Sequence, residues 1–437
     1  MISRSAWYLR ALLRQVWVRV ALFAALAIVS AVLARVLSPY LPETVALSTG
    51  SEAVAQLLGV LTSSMLAVTT FSLSIAVSAF AAAAGTATPR ATVLLQEDRT
   101  TQNVLATFLG AFLFGLVGLI ALRADLYDAS GKVVVFLFTV AVIGLVVVAL
   151  IRWIDHLMEF GRMGDTLDRV ERAAPASLRK RIDTPYLGGR ALAMQPSRHA
   201  QTVDATETGY VQTIDMHALQ ERAEALGARV MLCRLPGAFV ARGDPLMAVG
   251  GSPISEDAAS AMARAVIIGR RRTFDEDPRF GLIALGEIAS RALSPAVNDP
   301  GTAIDILGRL VRVLVPWRDA DGAEIRFPDV FVPAITAQDF MEDAFRPIAR
   351  DGAALSEVQI RLQKALSSLR QDAPEDFAAA CERMAREALA RAEAESLLPA
   401  ELAAIRAAAR LETPPSGAGD GIAAPRGARP AAGDPPG

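Results

Sequence analysis

Apolar positions crowd into the first third of the chain, in four blocks at 16–37, 56–84, 104–122 and 133–151. A helix needs about 20 residues to cross a bilayer core, so each block is long enough to span. The second is long enough to tilt or to run beyond the bilayer. None carries Asp or Glu in its interior. A backbone in lipid must satisfy its own hydrogen bonds, which predicts four transmembrane helices. Arg4, Arg10 and Arg14 before the first block imitate a secretory signal. No small-residue cleavage site follows a short apolar core, and three more blocks come after it, so a retained helix is expected.

Basic residues set the expected orientation. Arg4, Arg10, Arg14 and Arg19 precede or open the first block, and 38–55 holds neither Arg nor Lys. Seven Arg and Lys lie between 152 and 181. The positive-inside rule then places both termini in the cytoplasm of a bacterial inner-membrane, multi-pass protein. A charged helical pattern runs from 159 to 181, interrupted by Pro175. It reads as a linker whose basic face either meets anionic headgroups or is simply solvated.

Beyond a polar loop at 184–206 the period changes. Tyr210–Ile214 suits a strand, and Asp215 caps a helix that ends at Gly227. Short strands at 229–235, 238–242 and 246–249, split by Pro/Gly turns, predict a small β-barrel or sandwich. Helical patterns follow at 256–270, 278–293, 300–315, 341–349, 354–370 and 374–409, with a short strand at 325–333. The expected organisation is a transmembrane domain at 1–155 and a linker and loop at 156–206. A β-rich module follows at 207–254, a mainly helical cytoplasmic region at 255–410, and a Pro/Gly/Ala tail at 411–437 that reads as disordered. The fold class is thus membrane α-helical with a cytoplasmic α+β region.

Composition agrees with a membrane protein. Apolar residues make up 52% of the 437, and mean hydropathy is +0.35. The net charge of −2 lacks the basic surplus of a nucleic-acid binder. Two cysteines, Cys233 and Cys381, and three histidines exclude a disulfide framework and disfavour a zinc cluster. No phosphate-binding loop, nucleophile elbow, His-Glu-x-x-His or dinucleotide fingerprint occurs, so neither an enzyme nor a cofactor is expected. The turns at Pro236-Gly237 and Gly243-Asp244-Pro245 resemble those of biotinyl/lipoyl-type barrels. The segment has no Lys to carry such a group.

Two stretches carry a family likeness. One is Phe71-Ser72 in the Ser-rich second block, followed by Pro89-Arg90 and Asp98-Arg99. The other runs from Arg271-Arg272-Thr273-Phe274-Asp275-Glu276-Asp277-Pro278 to Ser294-Pro295-Ala296-Val297-Asn298-Asp299-Pro300. With the four-block layout these resemble the bacterial DUF2254 predicted membrane proteins. The resemblance implies location and architecture, not an activity. Gly301 stands where such proteins are expected to have a bulky residue, which predicts a looser helix start.

Three groups of residues are candidates for function. Ser63, Thr70, Ser74 and Ser78 fall in one stripe of the second block. They read either as the lining of a path for water, ions or a small solute, or as small packing residues. Arg90, Glu97, Asp98 and Arg99 precede the third block, as a polar collar at an inner mouth or as helix caps. Arg271, Arg272, Asp275, Asp277, Arg291, Ser294, Asn298 and Asp299 read as ion pairs, a subunit contact or turn-closing groups. Glu287 and Arg291 are spaced to pair along one helix. His156 reads as an interfacial histidine without a role, or as a pH sensor. The leading functional reading is an oligomeric, channel-like protein with a cytoplasmic regulatory region. The rival is a scaffold or sensor that docks a cytoplasmic protein partner. The expected associations are the lipid bilayer and further copies of the chain, without nucleic acid.

Overall fold

The fold is described from a computed structural model, over residues 16–37, 51–86, 88–96, 98–124, 126, 129–159, 162–193, 200–251, 253–318 and 324–410. The tail at 411–437 lies outside these residues.

The apolar blocks form α1 (Val16–Leu37), α2 (Ser51–Thr86), α4 (Arg99–Arg123) and α5 (Ala129–Glu159). A short α3 (Pro89–Gln96) joins α2 to α4. Among the described residues, three helices are long and apolar enough to cross a membrane, within α2, α4 and α5. The apolar stretch of α1, Val20–Val36, falls short of that length.

The hub of the bundle is α4. Half of its apolar window is buried, against 17% for α2 and 33% for α5. Glycines allow the close approach. Gly110 faces Phe23 of α1, and Gly115 and Gly118 face Leu58 of α2. Phe108 and Phe114 fill the space between, packed with Leu58, Leu61, Met65 and Ala111. Without a hydrophobic drive between helices in lipid, such close packing is what holds them together.

After α5 the chain enters α6 (Met163–Asp183), which accommodates Pro175 in its interior. The extramembranous part has two cores. The β core uses two sheets. One has the order β1 (Arg190–Ala191), β8 (Val330–Val332), β4 (Arg229–Leu232), β6 (Pro245–Gly250), β2 (Gln201–Asp204). The other has the order β5 (Phe239–Val240), β3 (Gly209–Ile214), β7 (Val266–Gly269). β8 pairs in parallel with β1 and β4, and the remaining pairs are antiparallel. Thus the sheets recruit strands outside 207–254. The helix α7 (Met216–Leu226) starts at its Asp215 cap and ends at Gly227 in the left-handed region, as the sequence predicts.

The expected helix at 256–270 is shorter. It stops as α8 (Glu256–Ala263), and the β-branched run Val266–Ile268 becomes β7 against β3. The helical core comprises α9 (Phe280–Ala292), α10 (Pro300–Arg318), α11 (Ala337–Ala344), α12 (Arg346–Asp351), α13 (Ser356–Arg370), α14 (Glu375–Glu393) and α15 (Pro399–Arg410). The single late helix expected at 374–409 is therefore two, divided before Pro399. Leu285, Leu310, Phe340, Phe345, Leu362 and Phe377 form the centre of this core. Ala91 of α3 and Val170 of α6 belong to it too, so the segments that flank the membrane helices are seated in it.

The contact of α4 with α2 gives a test. At Gly115 an added Cβ would lie 3.2 Å from the Leu58 carbonyl oxygen and against the Thr62 hydroxyl. Gly115→Ala should therefore cost about 1–3 kcal/mol, read as a lower thermal midpoint in detergent. Gly144→Ala has open space at its Cβ and serves as the neutral control.

Candidate functional site

The densest group of buried charge lies where the membrane helices meet α6. Asp98 is the N-cap of α4, in extended backbone, and accepts from the Thr101 backbone N–H at 2.6 Å. Arg169 of α6 donates from Nη1 to Asp98 Oδ1 at 2.6 Å, and from Nε to both oxygens of Asp165 at 2.9 Å. From α5, His156 brings Nε2 to 3.0 Å from Asp98 Oδ2. An ionised carboxylate only accepts, so Nε2 carries the proton. Thr101 Oγ1 lies 3.3 Å from the same nitrogen, and the Trp153 ring stacks beside the imidazole at 5.9 Å.

Asp98 is only 7% exposed. Burial alone would raise its pKa, but the bonds from His156, Thr101 and Arg169 reverse this and hold the carboxyl well below the usual range. Arg169 is held more firmly protonated: burial works against its charge, and Asp98 and Asp165 outweigh burial. Three helices therefore converge on one carboxylate. A fourth contact lies nearby, where Arg90 of α3 bonds Glu287 of α9.

Of the predicted collar, Arg90 and Asp98 are joined to separate partners, Glu287 and Arg169. Glu97 and the Arg99 side chain lie outside the described residues. Glu287 pairs with Arg90 of α3.

The hydroxyl stripe divides. Thr62 and Ser72 turn inward, while Ser63, Thr70, Ser74 and Ser78 are exposed on the outer side of the bundle. Ser63 donates to Val60 O at 3.2 Å, Thr70 to Leu66 O at 2.9 Å and Ser74 to Thr70 O at 3.0 Å.

The signature residues split into two structural devices. Arg272 clasps Asp277 through Nε at 2.7 Å and Nη2 at 2.6 Å, and stacks over Phe280. Asp277 also accepts from the Arg279 backbone at 3.1 Å and abuts Gly237, whose φ of +95° and crowded Cβ direction both require glycine. Burial raises the Asp277 carboxyl against the pull of Arg272. Arg271 and Asp275 take part through backbone carbonyls, which accept from Gln212 and from Lys180. Arg279 bridges to Asp339 and Asp343 of α11.

The second device is the turn before α10. Ser294 donates to the Arg291 carbonyl at 2.6 Å, and Asn298 is left-handed. Asp299 caps Thr302 through its backbone N–H at 3.1 Å and hydroxyl at 2.6 Å. Those bonds lower the Asp299 pKa. The helix start is firmly capped despite Gly301, a correction to the looser start expected there. The helix N-terminus is occupied by the chain's own carboxylate.

Two buried or half-buried arginines have no motif to announce them. Arg169 shows in the sequence only as an Asp165–Arg169 spacing. Arg181 is 5% exposed, and its Nη2 has no hydrogen-bond partner. Burial pushes its pKa down to about 10, against the opposing pull of Glu276 and Asp277.

A membrane-embedded helical bundle joined through buried ion pairs to a large α/β unit defines the class. The chain belongs to the DUF2254 family of predicted membrane proteins, whose model matches residues 14–368. An uncharacterised protein of Mycobacterium bovis and one of Mycobacterium tuberculosis are each 32% identical to it over 231 residues. That match covers 50% of this chain and 43% of each relative, so the chain spans less than half of the relatives' length. No solved structure matches.

Asp98 supplies a prediction in two parts. Asp98→Ala should destabilise the protein by about 1–3 kcal/mol, because it removes the α4 cap and a shared acceptor of His156 and Arg169, while Arg169 keeps Asp165. Asp98→Asn keeps a capping oxygen and isolates the charge. The folded-state pKa lies below the unfolded value of about 3.9, so the charge contributes fully above that value. Its contribution is lost as pH falls toward the folded-state pKa. Wild type should lose thermal stability on acidification from about pH 5 to pH 2, and Asp98→Asn should lose less over that range. Equal acid sensitivity of the two would show that Asp98 is not the group responsible.

Proposed function

We propose that this protein is a non-enzymatic, oligomeric permeation protein of the bacterial inner membrane. Its path runs between protomers along the outer face of α2. The observation that carries this reading is the placement of Ser63, Thr70, Ser74 and Ser78 together on the side of α2 turned away from its own bundle. A single protomer encloses none of them, so a hydroxyl-lined path requires neighbouring copies to face one another there. Hydroxyl rows without fixed charge suit passage of water or small solutes. In this reading α1 completes a four-span bundle, both termini lie in the cytoplasm, and the α/β unit regulates the path from that side. The connection is short: α2 leads through α3 into the cytoplasmic core at Ala91 and Arg90.

A second reading has its own support. Ser63, Thr70 and Ser74 each bond a carbonyl of their own helix. Hydroxyls satisfied in this way cost little in lipid. That favours a scaffold or sensor, with the sandwich-like β module docking a cytoplasmic partner and the Asp98 joint passing the signal.

Flux measurements separate them. Protein purified in mild detergent should run as an oligomer and conduct ions or a small solute in liposomes. Ser74→Trp should abolish that flux without loss of the folded oligomer. In a Cys233→Ser background, with Cys381 buried, cysteines at Thr70, Ser74 and Ser78 should react with a polar thiol reagent. A folded protein without flux, protected at all three positions, would discard the path and leave the scaffold.

A further inference from the structure

The geometry points to a binding site for a phosphate-bearing anion in the groove between α6 and α10. The groove is open, about 590 Å³ in volume, and runs along one stripe of α6. Asp168, Glu171, Arg172, Pro175 and Arg179 recur at helical spacing on that stripe and face Arg312 of α10.

Its charge is not balanced. The carboxylates are already taken by α10. Arg309 donates from Nη1 to Asp168 and to Glu171, both at 2.6 Å. Arg312 reaches Glu171 through Nε at 2.6 Å and Nη2 at 3.1 Å. Arg172 donates from Nε to the Asp168 backbone carbonyl of its own helix at 3.1 Å. Among the described residues neither Arg172 nor Arg179 has a carboxylate partner, and both are exposed. Two guanidiniums without a carboxylate partner among the described residues thus flank a wall of Pro175, Ala176 and Val313.

This combination selects the ligand class. Guanidinium forks match phosphate oxygens in pairs, better than they match a monatomic anion. The apolar wall suits a glycerol or similar carbon framework attached to the phosphate. Position adds to the case. Arg169 bonds the cap of the membrane helix α4, and Arg172 follows it by less than one helical turn, about 4.5 Å along the axis. The near end of the groove therefore lies beside the point where α4 leaves the bilayer. An acidic phospholipid headgroup and a free phosphate ester share the required chemistry. Occupancy would clamp α6 to α10, and so fix the helix that carries Arg169. The site does not depend on whether the protein conducts solutes.

The test uses the full chain in phosphatidylcholine nanodiscs, with thermal unfolding as the first readout. One arm replaces part of the lipid by phosphatidylglycerol, and native mass spectrometry counts retained anionic lipid. The other adds inorganic pyrophosphate. At least one arm should raise the midpoint by several degrees, as for any ligand that binds only the folded state. The double variant Arg172→Gln/Arg179→Gln should remove the shift and leave melting in phosphatidylcholine unchanged, since both side chains are exposed. Arg162→Gln, exposed at the N-cap of α6 outside the groove, should keep it. A shift with phosphatidylglycerol alone assigns the site to a headgroup, and a shift with pyrophosphate assigns it to a soluble phosphate. No shift in either arm overturns the site, as does a shift that survives the double variant or is lost equally in Arg162→Gln.

Discussion

A carboxylate cannot be buried at a membrane surface unless fixed donors replace its water. Asp98 meets this condition with donors from three directions: the first turn of α4, the imidazole on α5 and the guanidinium on α6. Removing any one leaves a buried charge short of partners, so the positions of the three helices are mutually dependent. The remaining architecture hangs on this joint, because α6 is the only described helix between the last membrane span and the extramembranous sheets.

The far end of α6 meets the segment before α9, where Lys180 donates to the Asp275 carbonyl at 2.8 Å. Arg181 is buried near Glu276 and Asp277, while Asp277 is clasped by Arg272 and pressed against Gly237. One 21-residue helix is therefore joined to the membrane helices at its start and to the segment before α9 at its end. Between those ends it packs on α9 and α10 through Leu167, Val170, Ala174 and Leu178. Displacement of α4 or α5 has a short route to the helical core. Coupling of this type needs discrete packed elements and not a continuous wire of residues. The path between Arg90 of α3 and Glu287 of α9 runs beside it.

The membrane half is built on a different economy. In lipid, Leu on Leu gains little over Leu on acyl chain, so α4 uses Gly110, Gly115 and Gly118 to bring backbones close. The hydroxyls of α2 are divided by the same logic. Thr62 sits in the tight contact with α4, and its hydroxyl bonds the Leu58 carbonyl one turn back. Ser63, Thr70, Ser74 and Ser78 lie on the face that this contact leaves open. An outward hydroxyl row is what a copy-to-copy path needs and what a lipid-facing helix tolerates, so the exposed row supports both functional readings.

The sequence by itself determined the elements whose causes are local. Apolar block length gave the three helices long enough to span and a first one whose apolar stretch falls short, Asp215 and Gly227 bounded α7, and Pro/Gly turns separated the strands around 229–249. It also located the signature turn before α10, because a Ser-Pro-Ala-Val-Asn-Asp-Pro run closes on its own backbone. It misjudged 256–270, where a helical start gave way to β7, because pairing with β3 is a long-range term that outweighs local propensity. Only the tertiary structure decided the sites. Asp98, His156 and Arg169 are spread over 72 residues of sequence, and no spacing rule links residues on three helices. Which hydroxyls faced outward, which acids were already paired and which arginines were left over all depend on the same thing. They follow from how helices rotate when buried charge and close packing must be satisfied together.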